Sequence, residues 1–151
     1  MDGESKRWTP SSIVLSATGI LLMFVGMYFI LLRPPLLPED IRYMAFSAIE
    51  LDNVRPRLES WLTQIFRVMG GFVTATGTLT VTLAATAFRK RQKGVAFGVL
   101  TGGIASIGLM AAVNFVINSN FRWALFGIAL LWACSLLLFW FETEAFTNHG
   151  G

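Results

Sequence analysis

The chain is short of almost everything that soluble enzymes use for chemistry. It holds one cysteine, Cys134, and one histidine, His149. A lone cysteine excludes an intrachain disulfide and any zinc or iron–sulfur site built from clustered thiolates within one chain. A lone histidine, in the tail Thr-Asn-His-Gly-Gly, provides no multi-histidine metal site. Met23, Met27, Met44, Met69 and Met110 form no dense motif and read as packing. No phosphate-binding glycine loop is present, because Gly102-Gly103 lies inside an apolar run. No cofactor, metal or catalytic residue is therefore expected.

Charge is scarce as well. Asp, Glu, Lys and Arg make up 14% of the 151 residues, against about 25% in soluble domains. Apolar residues make up 54%, and the mean hydropathy is +0.61. No ionisable residue occurs between Val68 and Phe88, or between Gly94 and Phe121. This is the composition of a membrane protein. Spans free of ionisable groups also argue against a pump or ion-coupled transporter, which commonly buries one. The formal net charge is +3, but four of the twelve basic residues, Arg89, Lys90, Arg91 and Lys93, crowd into one turn. No basic face interleaved with aromatics exists, so nucleic acid is not an expected partner.

What the sequence does have is apolar length. Four runs, at 13–32, 66–88, 94–117 and 122–141, are long enough to cross a hydrocarbon core of about 30 Å. The expected fold is an all-α integral membrane protein, one domain over 1–151, with four transmembrane helices in an antiparallel bundle. Thr9-Pro10-Ser11-Ser12 has the character of a helix start. The only sizeable extramembrane loop is 33–65. Within it, Pro38-Glu39-Asp40 resembles a helix's first turn, and Ile41, Met44, Ala48 and Ile49 share a face. A short amphipathic helix on the membrane surface is expected there. Asn53-Val54-Arg55-Pro56 is expected to break it, with the second spanning helix beginning near Arg57 and entering the bilayer near Arg67.

Four spans put both termini on one side. Lys6, Arg7, Arg89, Lys90, Arg91 and Lys93 then face Arg33, Arg42, Arg55, Arg57, Arg67 and Arg122 across the membrane. The counts tie, and crowding breaks the tie: four bases in one short turn resist translocation. Both termini and the 89–93 turn are expected on the cytoplasmic side of a bacterial inner membrane. Trp8, Trp61, Trp123 and Trp140 fall at span borders, as interfacial tryptophans do. Trp132 does not, and is expected to pack against another helix or subunit.

Two stripes of small residues recur every four positions. Gly70, Thr74, Thr78, Thr82 and Thr86 mark the second span; Gly94, Gly98, Gly102 and Ser106 mark the third. Small side chains let helices approach closely in lipid. The stripes predict an antiparallel hairpin packed along its length, or else a threonine-lined polar path or ligand groove. Gly19, Gly26 and Gly127 read as packing notches. Asn114, which continues the stripe of the third span, is expected to make an interhelical hydrogen bond or to touch a ligand or headgroup. Glu39, Asp40, Arg42, Arg55, Arg57 and Arg67 form an outer charged ring suited to headgroup, ligand or partner contacts. Arg67 is expected to reach lipid phosphate or to pair with Glu39 or Asp40.

The function these features point to first is a structural or accessory subunit, in contact with membrane lipids and with copies of itself or a larger membrane complex. A channel, transporter or carrier of a small or lipophilic molecule along the threonine face is the second reading. An interfacial lipid-modifying enzyme using the outer charges is the third.

Overall fold

The computed structural model describes residues 8–45 and 47–148. Lys6, Arg7 and His149 lie outside them. Four helices are long and apolar enough to cross a membrane. They are α1 (Pro10–Leu31); α3 (Ala48–Leu83), prolonged by a π turn over Ala84–Phe88; a third span made of α4 (Val95–Gly103), a π turn (Ile104–Gly108) and α5 (Leu109–Val116); and α6 (Arg122–Asn148). A short α2 (Pro38–Met44) lies between the first two. The protein is an all-α, multispanning integral membrane protein.

The start of α1 follows its sequence cues. Thr9 Oγ1 accepts from the Ser12 amide at 3.3 Å, and Pro10 occupies the first turn, where its missing N–H is not needed. A second cap comes from α6. Glu142 accepts from the Ser11 amide at 3.0 Å and from Ser11 Oγ at 2.7 Å, placing a carboxylate at the positive end of the α1 dipole. The same carboxylate pairs with Arg91 at 2.6 Å, and Arg91 also donates to the Phe139 carbonyl at 2.9 Å. Three segments are stapled at one end by one acid. Arg89 reaches over Trp8 at that end too, 5.5 Å from the ring centroid.

The break expected at Asn53–Pro56 is absent. Ser47 and Glu50 form a reciprocal cap, with Glu50 Oε2 accepting from the Ser47 amide at 3.0 Å, and α3 runs on through Pro56. Pro56 forgoes one intrahelical bond without ending the helix. Ala48 and Ile49 thus belong to α3, and α2 stops at Ala45 in a left-handed conformation (φ 53°).

The tightest seam joins α1 to α3, which contradicts the expectation that the second and third spans pack along their length. A Cβ built on Gly26 would lie 2.6 Å from the Gly70 carbonyl oxygen, and one on Gly70 equally 2.6 Å from that of Gly26. Gly19 and Gly77 oppose each other likewise, at 2.8 and 2.5 Å. The backbones touch at both places. One heptad further along the same register, Ser12 comes opposite Ala84, and both are buried. Leu15, Leu22, Val73 and Thr80 fill the alternate positions. The operative repeat is seven residues, which stays on one face of two gently supercoiled helices. A repeat of four drifts by about 40° per step. Gly70 is therefore buried and Thr74 half-buried, while Thr78, Thr82 and Thr86 face outward.

The four spans form a helical bundle that is open along one side, as an arc. α1 packs on α3 and on α6, and α6 packs on the third span; α3 and α5 lean on these inner helices and hardly on each other. In the third span the buried positions Val99, Gly103, Ile107 and Ala111 recur every four residues. The wider π turn at Ile104–Gly108 offsets the drift and keeps them on the α6 face.

Candidate functional site

The opening of the arc is a lateral cleft of about 1170 Å³ between α3 and α5. Its floor is Leu22 and Val25 of α1 with Leu125 and Ile128 of α6. One wall carries Val68, Phe72 and Thr76 of α3; the other carries Ser106, Met110 and Val113 of the third span. Nearly all of this surface is apolar. The polar groups collect at the end away from the 89–93 turn, where α2 closes over the cleft.

Local hydrogen bonding fixes α2 there. Asp40 accepts from the Leu37 amide at 3.0 Å and from Arg33 at 3.1 Å, tying the helix start to the end of α1. The Arg33 guanidinium also lies over the Phe66 ring, 3.5 Å from its centroid, which ties it to α3. On the other side Arg42 donates to the Asn118 carbonyl at 2.9 Å, in the turn before α6. These anchors turn Glu39 inward. It is 3% exposed, lines the cleft, and accepts from Ser119 Oγ at 3.3 Å. Among the described residues it makes no ion pair. A buried carboxylate without a cation is costly, so its retention at the mouth of an apolar cleft is the sharpest chemical feature of the fold.

The sequence-derived candidates distribute unevenly around this site. Glu39, Asp40, Asn114 and Ser106 line the cleft. Arg42 lies beside it as an anchor of α2. Arg67 is exposed and pairs with neither Glu39 nor Asp40, because Arg33 already occupies Asp40. Arg55 is paired with Glu59 at 2.7 Å on the exposed early turns of α3, and Arg57 is exposed on the same stretch. Asn114 donates to the Met110 carbonyl of its own helix at 2.9 Å, not to a neighbouring helix.

The outward threonines do not reach the cleft. Thr78, Thr82 and Thr86 each return a hydroxyl to the carbonyl four residues back, at 2.9, 3.0 and 2.6 Å. Thr76, outside that stripe, is the threonine that faces the cavity. Gly98 and Gly102 are exposed with open space where a Cβ would go, and Gly94 serves the turn with a φ of 81°. Gly127 meets nothing either, so it is no notch. Of the topology residues, Arg91 is engaged with Glu142 and Lys90 and Lys93 are exposed.

Sequence reasoning missed Arg33, Thr76 and Ser119. Ser119 sits in the turn between the third and fourth spans, and nothing in its sequence neighbourhood points to a residue eighty positions earlier. Arg33 had a readable signal, because an arginine seven residues before an aspartate, across a Pro-Pro turn, is within reach of it. No family model matches the chain, and no curated protein or solved structure matches it.

Proposed function

We propose that the protein holds one amphiphilic, lipid-like molecule in the lateral cleft, as a membrane-embedded binding or carrier subunit. The observation that carries this reading is the cleft itself, whose walls are hydrocarbon and at whose mouth Glu39 stands buried with no ion pair among the described residues. Its volume exceeds the roughly 300–1,000 Å³ of ordinary small-molecule sites. Because the spans form the walls, the opening faces acyl chains, and a tail along Val68, Phe72 and Val113 replaces bulk lipid without loss. The bound head then meets Glu39, Ser119 and Asn114. The carrier path thus runs between α3 and α5 instead of along Thr78, Thr82 and Thr86.

Native mass spectrometry of protein released from nanodiscs tests this. The wild type retains one lipid at detergent levels that strip the remainder, and Thr76→Trp or Ala105→Trp, which fill the cleft, loses it. A folded wild type that sheds every lipid as readily as these variants overturns the reading.

The outer face of α4 supports a second role. Gly98, Thr101 and Gly102 make an exposed strip with no side chain in the way, suited to close approach by a helix of another chain. This is the accessory-subunit reading, by self-association or by joining a larger complex. A strictly monomeric mass in nanodiscs, with no partner co-purified, removes it. For orientation we propose that the end bearing the 89–93 turn faces the cytoplasm of a bacterial inner membrane.

A further inference from the structure

We infer that the head of the cleft's occupant is a protonated amine, and that Glu39 is the group that selects it. The inference rests on the cleft-binding reading above and adds the chemical class of the ligand.

Of the charged side chains at the mouth, Arg33, Glu39 and Asp40 line the cleft, and Arg42, Arg67 and Arg122 lie outside its lining. Arg33 and Asp40 neutralise each other at 3.1 Å, and Arg33 is held further by the Pro34 carbonyl at 3.1 Å and by the Phe29 and Phe66 rings. Arg42 is exposed, does not line the cleft, and donates one of its N–H groups to the Asn118 carbonyl. Glu39 is left with one long hydrogen bond from a neutral hydroxyl. Of the charged side chains that line the cleft, Glu39 is therefore the one left without an ion pair, and Arg42 lies outside that lining in solvent. A head with a phosphate or carboxylate and no cation would meet repulsion there, and an uncharged head would leave the carboxylate uncompensated.

An ammonium supplies both missing elements. Its charge offsets that of Glu39 in a site where screening is weak, and its three N–H donors can reach the carboxylate oxygen that Ser119 does not engage. Asn114 lines the same cleft, and its amide nitrogen is already committed to Met110, which leaves its oxygen as the group to accept. An amide so oriented presents an acceptor, which again matches a donor-bearing head. Aminophospholipids and lipophilic amines share this chemistry.

The test uses nanodiscs of one acyl composition doped with equal amounts of phosphatidylethanolamine, phosphatidylcholine, phosphatidylglycerol and diacylglycerol, and reads the retained lipid by native mass spectrometry. Wild type is expected to enrich phosphatidylethanolamine about tenfold over phosphatidylglycerol, the factor that one charge-assisted hydrogen bond provides. Phosphatidylcholine, whose head carries a quaternary ammonium without N–H donors, falls between them. Glu39→Gln keeps the shape and the Ser119 contact, retains one lipid, and brings the ratio to about parity. An unchanged ratio in Glu39→Gln, or diacylglycerol held by wild type as strongly as phosphatidylethanolamine, overturns the inference while leaving the cleft reading intact. Loss of all retained lipid from wild type overturns the cleft reading and this inference with it. A lipophilic primary amine added to lipid-loaded protein distinguishes the two ligand sources: displacement of phosphatidylethanolamine assigns free amines to the site as well.

Discussion

The Trp132 indole donates its Nε1–H to the Val99 carbonyl at 3.0 Å and packs on Gly103, where no Cβ would fit. An aromatic far from either membrane border is thereby explained within the chain, with no second subunit required. Trp132→Phe keeps the ring packing and removes the donor. A loss of about 0.5–1.5 kcal/mol is expected in a reversible detergent-unfolding titration. Gly103→Val costs more, because the indole must leave its place.

The glycine seam separates two classes of substitution that look alike on paper. Gly26→Ala or Gly70→Ala forces a Cβ against a backbone carbonyl and is expected to destabilise by about 1–3 kcal/mol. Gly98→Ala and Gly102→Ala enter open space and should lie within about 0.5 kcal/mol of wild type, or gain slightly from helix propensity. The same unfolding titration reads both. Equal losses at the two pairs would mean that α4 is packed as closely as the α1–α3 seam.

The acid shared by three segments gives a coupling that can be measured. Arg91→Ala strands Glu142 beside the α1 start, and Glu142→Gln strands Arg91. Each is expected to cost about 1–3 kcal/mol, with the pair half-shielded from solvent. A double-mutant cycle should show that the double variant costs less than the two singles added. Simple additivity would mean that the pair contributes nothing beyond its separate hydrogen bonds.

Thr78→Val and Thr82→Val remove hydroxyls whose bonds return to their own helix. Stability is expected within about 0.5 kcal/mol of wild type, and lipid retention unchanged. Loss of retained lipid in either variant would reinstate the outward threonine face as the path.

A cysteine placed at Gln92 should be protected from membrane-impermeant thiol reagents in intact cells and labelled after permeabilisation. Prompt labelling from outside would invert the proposed orientation. Such an experiment needs Cys134→Ser as background, since Cys134 is exposed on the helix surface.

The four spans were legible because twenty apolar residues in a row admit few other outcomes. The hairpin pairing was not, and the reason lies in period. Steps of four are conspicuous from Gly70 to Thr86, yet they spiral off any one face of an α-helix. Ser12, Gly19 and Gly26, and Gly70, Gly77 and Ala84, carry the steps of seven that set the real contact, with intervals too long to stand out. The continuous α3 was obscured by Pro56, whose breaking tendency yields to the cap at Ser47. Glu39 was legible as an acid near a helix start. Its burial was not, because that depends on Arg33, Arg42 and Ser119, which come together only when the chain has folded.

An arc left open on one side has a kinetic meaning. A molecule held between α3 and α5 exchanges with its surroundings by sliding sideways in the plane of the bilayer, without crossing water and without parting two helices already packed together. On the proposed reading its residence time is set at the mouth, by the contact of its head with Glu39, rather than by the length of its tail. Two occupants with identical chains and different heads should dwell for unequal times.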